Sequence, residues 1–294
     1  MLRWMAAMDS KTRSSGRTTE NATHFVLTRF NVRSFYHTAE PTDEWLQTRL
    51  DLFREFCLPC LARQTNSRFT WLVFVDSLSP KWFIEEILQL GKGIFETIPV
   101  HGPFTPDVVS AEITLRTSTA YILTTRVDND DAVSNDFIET IQGCFTGQEF
   151  EFLNLVNGAQ YAAGKTYLRP YTKNPFLTLV EKMTVDPPST VFIEHHYRVN
   201  EKGPVRNIRT SHPMWLQIIH GGNILNEVVG LRVPGQRLAS HFGCELRFDD
   251  NYGRLVLDMS LGFARIFTRL IQKPARIGEL LRVLVANKPG RNVS

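Results

Sequence analysis

Unbroken apolar runs alternate along the first half of the chain with stretches of helical periodicity. The runs predict strands buried on both faces, within 24–33, 69–80, 94–100 and 120–128. The periodic stretches predict helices at 43–63, 81–92 and 106–119. This alternation is typical of an α/β fold whose mostly parallel sheet is flanked by helices.

The pattern is less regular in the second half. Asp136 and Glu139 have the spacing of a capping box and predict a helix over 136–145, which a strand at 152–158 follows. Pro, Gly, His and Arg are frequent beyond this strand. They predict a loop-rich half with short strands and one helix, at 175–183.

Three parts of the chain follow from these patterns. Residues 1–22 lack the apolar core of a signal peptide and are expected to form a polar tail. Residues 23–257 are expected to form the α/β domain. Residues 258–294 return to helical periodicity, and Pro274 divides them into two basic amphipathic helices.

The composition is that of a globular protein in a reducing compartment. The 294 residues are 43% hydrophobic and 21% charged, and the net charge of +3 is too small to indicate a nucleic-acid partner. No apolar run approaches the roughly 18 residues of a membrane-spanning helix. The 4 cysteines suggest no disulfide framework, so we expect a cytoplasmic protein.

The strand predicted at 120–128 ends in an acidic motif, Asp128-Asn129-Asp130-Asp131. In an extended segment, residues two apart share a face, so Asp128 and Asp130 point the same way. Carboxylates at the carboxyl end of a parallel strand are suited to a hard divalent cation, Mg²⁺ or Mn²⁺. The alternative is a solvated acidic turn that begins the next helix.

Five stretches together resemble the bacterial family described as putative rhamnosyltransferases. They are "FVLTRFNVR", "LPCLARQTNSRFTWLVFVD", "TRVDNDD", "NPFLTLVE" and "MWLQIIHGGN", in the family's order along roughly residues 24–225. The resemblance implies a GT-A-like (Rossmann-like) fold, with a nucleotide half over about 23–145 and an acceptor half over about 146–257.

The resemblance also implies an activity. The protein is expected to be a metal-dependent glycosyltransferase that moves a sugar, rhamnose or another deoxyhexose, from a nucleotide-sugar donor to a glycan or lipid-linked acceptor. A catalytically inactive carbohydrate- or metal-binding module on the same fold is the alternative. We expect no nucleic-acid partner.

The resemblance assigns roles to the acidic motif. Asp130 and Asp131 are expected to bind the metal, and Asp128 to lie nearer the ribose or the sugar, at the reacting centre. His220 follows an apolar run and precedes Gly221-Gly222. We expect it to be the third metal ligand, with a histidine in a turn as the alternative.

The nucleotide is expected at the ends of the first strands. The candidates are Thr28, Arg29, Phe30, Asp76, Arg126, Asp128 and Asn129. An arginine can neutralise phosphate, an aromatic ring can stack on a base, and an aspartate can accept a hydrogen bond from a base. Alternatively, Asp76 is a turn residue and Arg126 only balances the acidic motif.

An inverting transferase needs a base for the acceptor hydroxyl, whereas a retaining one does not. Glu181, on the helix predicted at 175–183, is the first candidate. Asp186, Glu194, His195 and His196 are the rivals.

The segment 264–291 has seven basic residues against one acid, Glu279, with apolar residues at helical spacing. One interpretation is peripheral contact with an anionic membrane at the inner face. The other is that its apolar stripe packs against the catalytic domain.

Overall fold

The computed structural model of the protein describes residues 21–33, 41–221 and 227–272, together with positions 278 and 281. The strands in this part of the chain are β1 (Ala22–Arg29), β2 (Thr70–Asp76), β3 (Glu96–Val100), β4 (Tyr121–Arg126), β5 (Ala132–Val133), β6 (Phe150–Leu155), β7 (Gly158–Ala162), β8 (Lys165–Leu168), β9 (Leu177–Lys182), β10 (Val205–Ile208), β11 (Trp215–Ile219) and β12 (Leu231–Val233). The helices are α1 (Asp43–Leu52), α2 (Leu58–Ala62), α3 (Lys81–Gly91), α4 (Pro106–Arg116), α5 (Phe137–Gly143), α6 (Gln236–Ala239) and α7 (Tyr252–Gln272).

The central sheet has the strand order β10-β6-β9-β4-β1-β2-β3. β1 pairs in parallel with β2 and β4, and β2 pairs in parallel with β3. At the other end of the sheet β10 is parallel to β6, while β9 runs against both of its neighbours, β4 and β6. The predicted α/β class with a mostly parallel sheet is confirmed.

Apolar clusters cover both faces of this sheet. In β2 the side chains alternate, with Val73 in one cluster and Leu72 and Phe74 in the other, because successive side chains of a strand point to opposite faces. Phe83 of α3 packs in the first cluster and Val109 of α4 in the second. Burial on both faces explains why the strands are unbroken apolar runs.

A second sheet, β12-β8-β7-β11-β5, holds the segment that follows the acidic motif. The short strand β5 begins one residue after Asp131 and pairs antiparallel with β11, Trp215 opposite Val133. Gly158 on β7 lies so close to Trp215 that a Cβ there would stand 2.0 Å from the indole ring. This packing fixes β11, and therefore the residues after it, beside the acidic motif.

The helix predicted at 175–183 is wrong. Residues Leu177–Lys182 form β9, which is hydrogen-bonded to β4 on one side and to β6 on the other. A short apolar run such as this one has the same pattern in a buried strand and in a buried helix. The partners that decide between them come from distant parts of the chain.

The predicted capping box is also wrong. Asp136 precedes α5, but its Oδ1 accepts hydrogen bonds from Ser134 Oγ at 2.8 Å and from His212 Nε2 at 3.0 Å instead of capping the helix. Glu139 accepts a hydrogen bond from Thr65 Oγ1.

The helix predicted at 43–63 is present as α1, a π-helical turn at Phe53–Cys57, and α2.

The C-terminal helix begins earlier than the predicted residue 258, so the expected domain boundary falls inside α7. Several apolar side chains of α7 are exposed, among them Leu257 and Phe263. No helix within the described ranges combines the length and the apolar character needed to cross a bilayer. Residues 1–20 of the expected tail, and most of 264–291 beyond α7, lie outside the described residues.

Candidate active site

The acidic motif lies at the carboxyl edge of the central sheet, between the end of β4 and the start of β5. Arg29 ends β1, the parallel neighbour of β4, and therefore reaches the same edge. β11, which pairs with β5, ends one residue before His220. The fold thus brings together residues that are nearly 200 positions apart in the chain.

Asp128 is held by two arginines. Arg126 binds it with both ends of the guanidinium, Nε to Oδ1 at 3.1 Å and Nη2 to Oδ2 at 2.6 Å. Arg29 Nη2 lies 3.7 Å from Oδ1, and its guanidinium stands 5.2 Å from the ring centre of Phe192. Burial opposes ionisation of Asp128, but the charges of Arg126 and Arg29 hold its pKa well below its usual range.

Arg29 also remains charged at neutral pH. Burial and the nearby charge of Arg126 lower its pKa to about 10, while Asp128 opposes the shift. The Asp128 carboxylate is therefore ionised beside the charged guanidinium of Arg29, and the forked donors of the two arginines are of the kind that can bind phosphate.

Asp130 forms a second cluster with His220 and Arg49. Asp130 Oδ2 lies 2.9 Å from His220 Nε2 and 2.7 Å from Arg49 Nη1. Arg49 Nη1 is also 3.4 Å from the same histidine nitrogen. The Asp130 side chain is only 8% exposed, so this carboxylate depends on its partners for stabilisation.

Arg49 was not predicted from the sequence as a site residue, although a signal for it exists. Leu46, Leu50 and Phe53 form the buried stripe of α1 and the turn that follows. Arg49 stands on the same side of the helix at the spacing of that stripe. A charged residue among buried apolar positions needs a buried partner, and Asp130 is that partner.

Asp131 binds the neighbouring sheet. Its Oδ1 accepts a hydrogen bond from the amide of Ile218 at 2.9 Å, two residues before His220. Burial, and then the charges of Asp130 and Asp128, raise the pKa of Asp131. Its clear role in this structure is to attach the acidic motif to β11.

Asn129 faces inward beneath the motif. Its Nδ2 donates to the backbone oxygen of Phe30 at 3.3 Å, and it is 1% exposed. Its Oδ1 is buried and has no hydrogen-bond partner within the described part of the chain. Asn129 therefore links the acidic motif to the end of β1.

The structure does not bring the side chains of Thr28 and Phe30 to the surface of the site. Thr28 Oγ1 accepts a hydrogen bond from the indole of Trp71 at 2.9 Å in the core. Phe30 packs edge-to-face against Phe53 and Phe83, with ring centres 5.3 and 5.2 Å away. Their geometry is that of core residues that support Arg29.

Asp76 ends β2 at the same edge as Arg29. Its Oδ2 pairs with Arg33 Nε at 2.8 Å, and its Oδ1 accepts from the amide of Leu78 at 2.9 Å. This is the arrangement of a turn residue held by an arginine, the alternative that the sequence left open.

Glu181 is not near the aspartates. It pairs with Ile122, close to the start of β4, whereas Asp128 lies beyond the other end of that strand. Both of its carboxylate oxygens accept backbone amides, from Ser189 at 2.9 Å and Thr190 at 2.8 Å. Burial raises its pKa, and the two amides partly offset that effect. This geometry gives Glu181 a structural role.

His196, one of the rivals of Glu181, does lie near the motif. Burial, and then the charge of Arg126, lower the pKa of its imidazole to about 3. The charge of Asp128 opposes this shift, which shows that the ring lies close to the motif. Its Nδ1 is buried without a partner in the described residues. The ring lines an open pocket of about 460 Å³ that Lys173, Tyr197 and Asn200 also line. The His195 ring packs at a tilt of 39° against the Tyr197 ring, with ring centres 4.0 Å apart.

Comparisons with known proteins place the chain in a family. A family model described as putative rhamnosyl transferase matches residues 36–230, more than half of the chain. A search of the curated proteins finds no match.

The solved structures that are similar are distant. The S. aureus TarS 1–349 structure has 10% identity and a TM-score of 0.40, and its complex with UDP has 10% identity and a TM-score of 0.41. Each alignment covers 67% of this chain and 60% of that chain. The inositol-1-phosphate CTP transferase from T. maritima has 10% identity and a TM-score of 0.32 over 67% of this chain and 89% of its own.

Because these structural similarities are so distant, the assignment to a family rests on the family model. The match over residues 36–230 begins before α1 and ends beyond β11, so it includes Arg49, the acidic motif and His220. The chain belongs to the putative rhamnosyl transferase family.

Proposed function

We propose that the protein is a metal-dependent glycosyltransferase that moves a sugar, rhamnose or another deoxyhexose, from a nucleotide-sugar donor to a glycan or lipid-linked acceptor. Family membership supports the transferase activity. The observation that carries the donor site is the pair of clusters at one sheet edge, Asp128 with Arg126 and Arg29, and Asp130 with His220.

The residues fit a hard divalent cation that shares its coordination with a substrate. Among the described residues no three His, Cys, Asp or Glu side chains are grouped to hold a metal ion. Mg²⁺ however needs only one or two carboxylates, because waters and substrate phosphates complete its octahedron at about 2.1 Å. Neighbouring ligands of such an ion stand about 3 Å apart. Asp130 Oδ2 and His220 Nε2, which are hydrogen-bonded to each other at 2.9 Å, already stand at that spacing.

We assign Asp130 and His220 as the cation ligands, and Asp131 as a further ligand through the oxygen that does not bind Ile218. The bound cation would act as a Lewis acid that stabilises the negative charge of the departing diphosphate. We assign the arginines of the first cluster to the donor phosphate oxygens, which their forked donors are suited to bind. Asp128, which is ionised and fixed by the two arginines, would accept a hydrogen bond from a hydroxyl of the ribose or the sugar.

The acceptor is assigned to the pocket that His196 lines. An imidazole that is neutral at physiological pH can accept a hydrogen bond from a sugar hydroxyl through a ring nitrogen that faces the pocket. If the reaction inverts the configuration, we assign the same imidazole as the base that takes the proton of the hydroxyl. This assignment replaces Glu181, whose oxygens are both occupied by backbone amides.

Replacement of Asp130 by asparagine tests the donor site. Asp130→Asn should lower the release of nucleoside diphosphate from a panel of nucleotide sugars with Mn²⁺ by about 100-fold or more, since a preorganised charge at the leaving group is lost. Asp136→Asn is the matched control. Asp136 follows the motif but pairs with His212, and we expect a change of no more than about twofold. A catalytically inactive binding module would turn over no donor, even as the unmodified chain, and would contradict the proposal.

The assignment of His196 as the base and the assignment of Glu181 as the base predict opposite results for acceptor use. His196→Gln should lower transfer to an acceptor by about 100-fold, as is usual for loss of a general base, while slow hydrolysis of the donor by water persists. Glu181→Gln should keep transfer but lower the melting temperature, because the side chain would turn an amide group toward the two backbone donors. Transfer that survives in His196→Gln and disappears in a folded Glu181→Gln would instead identify Glu181 as the base.

Peripheral contact of the segment 264–291 with a membrane remains a prediction, and the exposed Leu257 and Phe263 of α7 support it. The full chain should co-sediment with anionic vesicles at low salt and be released at high salt, because each cation near the surface contributes roughly 1 kcal/mol. Neutral vesicles serve as the control. Absence of binding to anionic vesicles at low salt would show that the segment belongs to the protein core or to another interface.

A further inference from the structure

Arg49 occupies the place where the proposed cation would bind. Its Nη1 lies within 3.4 Å of both candidate ligand atoms, Asp130 Oδ2 and His220 Nε2. The guanidinium also stands 5.3 Å from the ring centre of Trp45, one helical turn earlier on α1. The guanidinium is thus aimed at the pair by the helix that carries it.

The guanidinium of Arg49 neutralises Asp130 while no cation is bound, but it would repel a cation that binds to the same carboxylate. The Asp130 carboxylate is nearly buried, and Asp128 and Asp131 are its neighbours in the motif, so it needs a positive partner while no cation is bound. A divalent cation at the same two atoms would place two positive groups around one carboxylate. At such short distances in a partly buried site their repulsion is strong.

We propose that Arg49 is a built-in competitor of the divalent cation, which holds the Asp130–His220 pair before the cation arrives and must release it when the cation binds. The inference rests on the proposed function, because it uses the same cation site. The released guanidinium would remain at the donor edge, where its forked donors are suited to a diphosphate. Arg49 is a positioning residue in this account, since it acts through the two ligands.

The direct test measures Mn²⁺ affinity without nucleotide, by the electron paramagnetic resonance of free Mn²⁺. Arg49→Met keeps an unbranched side chain of similar helix propensity but removes the competing charge. We expect the full-length variant to bind Mn²⁺ about tenfold more tightly than the unmodified chain, which corresponds to about 1.4 kcal/mol.

Arg54 supplies the matched control. It lies five positions further along the same helical segment and pairs with Asp51 and Glu86, away from the acidic motif. Arg54→Met should leave the affinity for Mn²⁺ unchanged. Arg49→Lys, which keeps the charge without the planar fork, should bind Mn²⁺ with an affinity between those of Arg49→Met and the unmodified chain.

Thermal unfolding gives a second readout that does not depend on activity. Without a cation Arg49→Met should melt below the unmodified chain, because Asp130 has lost its counter-charge. Mn²⁺ should then raise the melting temperature of Arg49→Met more than that of the unmodified chain. If Arg49→Met folds only in the presence of Mn²⁺, that result also supports the competition.

The outcomes separate this inference from the proposed function. Unchanged or weaker Mn²⁺ binding in Arg49→Met, while Asp130→Asn abolishes binding, would overturn the role of Arg49 and leave the cation site in place. Mn²⁺ binding that is equal in Asp130→Asn and in the unmodified chain, or absent from all variants, would overturn both.

Discussion

Neutralisation of three carboxylates in four consecutive residues is the constraint on which this structure depends. Asp130 and Asp131 are nearly buried, and a buried charge is costly unless it is paired. Each carboxylate is stabilised in a different way. Asp128 is paired with two arginines, and Asp130 is paired with Arg49 and His220. Asp131 accepts a hydrogen bond from a backbone amide, and its pKa is raised.

These partners explain the architecture around the motif. β1 carries Arg29 and α1 carries Arg49, while β11 supplies the amide of Ile218 and the residue after β11 is His220. The pairing of β5 with β11 makes the second sheet part of the site. The acidic motif therefore joins the first half of the chain to the second, and a cation site there would couple donor binding to the contact between the two sheets.

The sequence predicts the part of the fold that local pattern determines. The unbroken runs of β1, β2 and β4 indicate a parallel sheet because both of its faces are covered, and the acidic motif could be placed at the carboxyl edge. β9 could not be recognised, since its strand partners are distant. Glu181 was misplaced with it, because a residue's position relative to a site follows from strand direction. Arg49 was missed because only the tertiary structure shows which charge lies opposite it.

A crystal structure with Mn²⁺ and a nucleoside diphosphate, in which the anomalous signal locates the metal, tests the central claim most directly. The account predicts the Mn²⁺ peak in contact with the Asp130 carboxylate and His220 Nε2, the diphosphate beside Arg29 and Arg126, and the guanidinium of Arg49 displaced from Asp130. A diphosphate bound at another edge of the sheet, or Mn²⁺ elsewhere while Arg49 still pairs with Asp130, would contradict it.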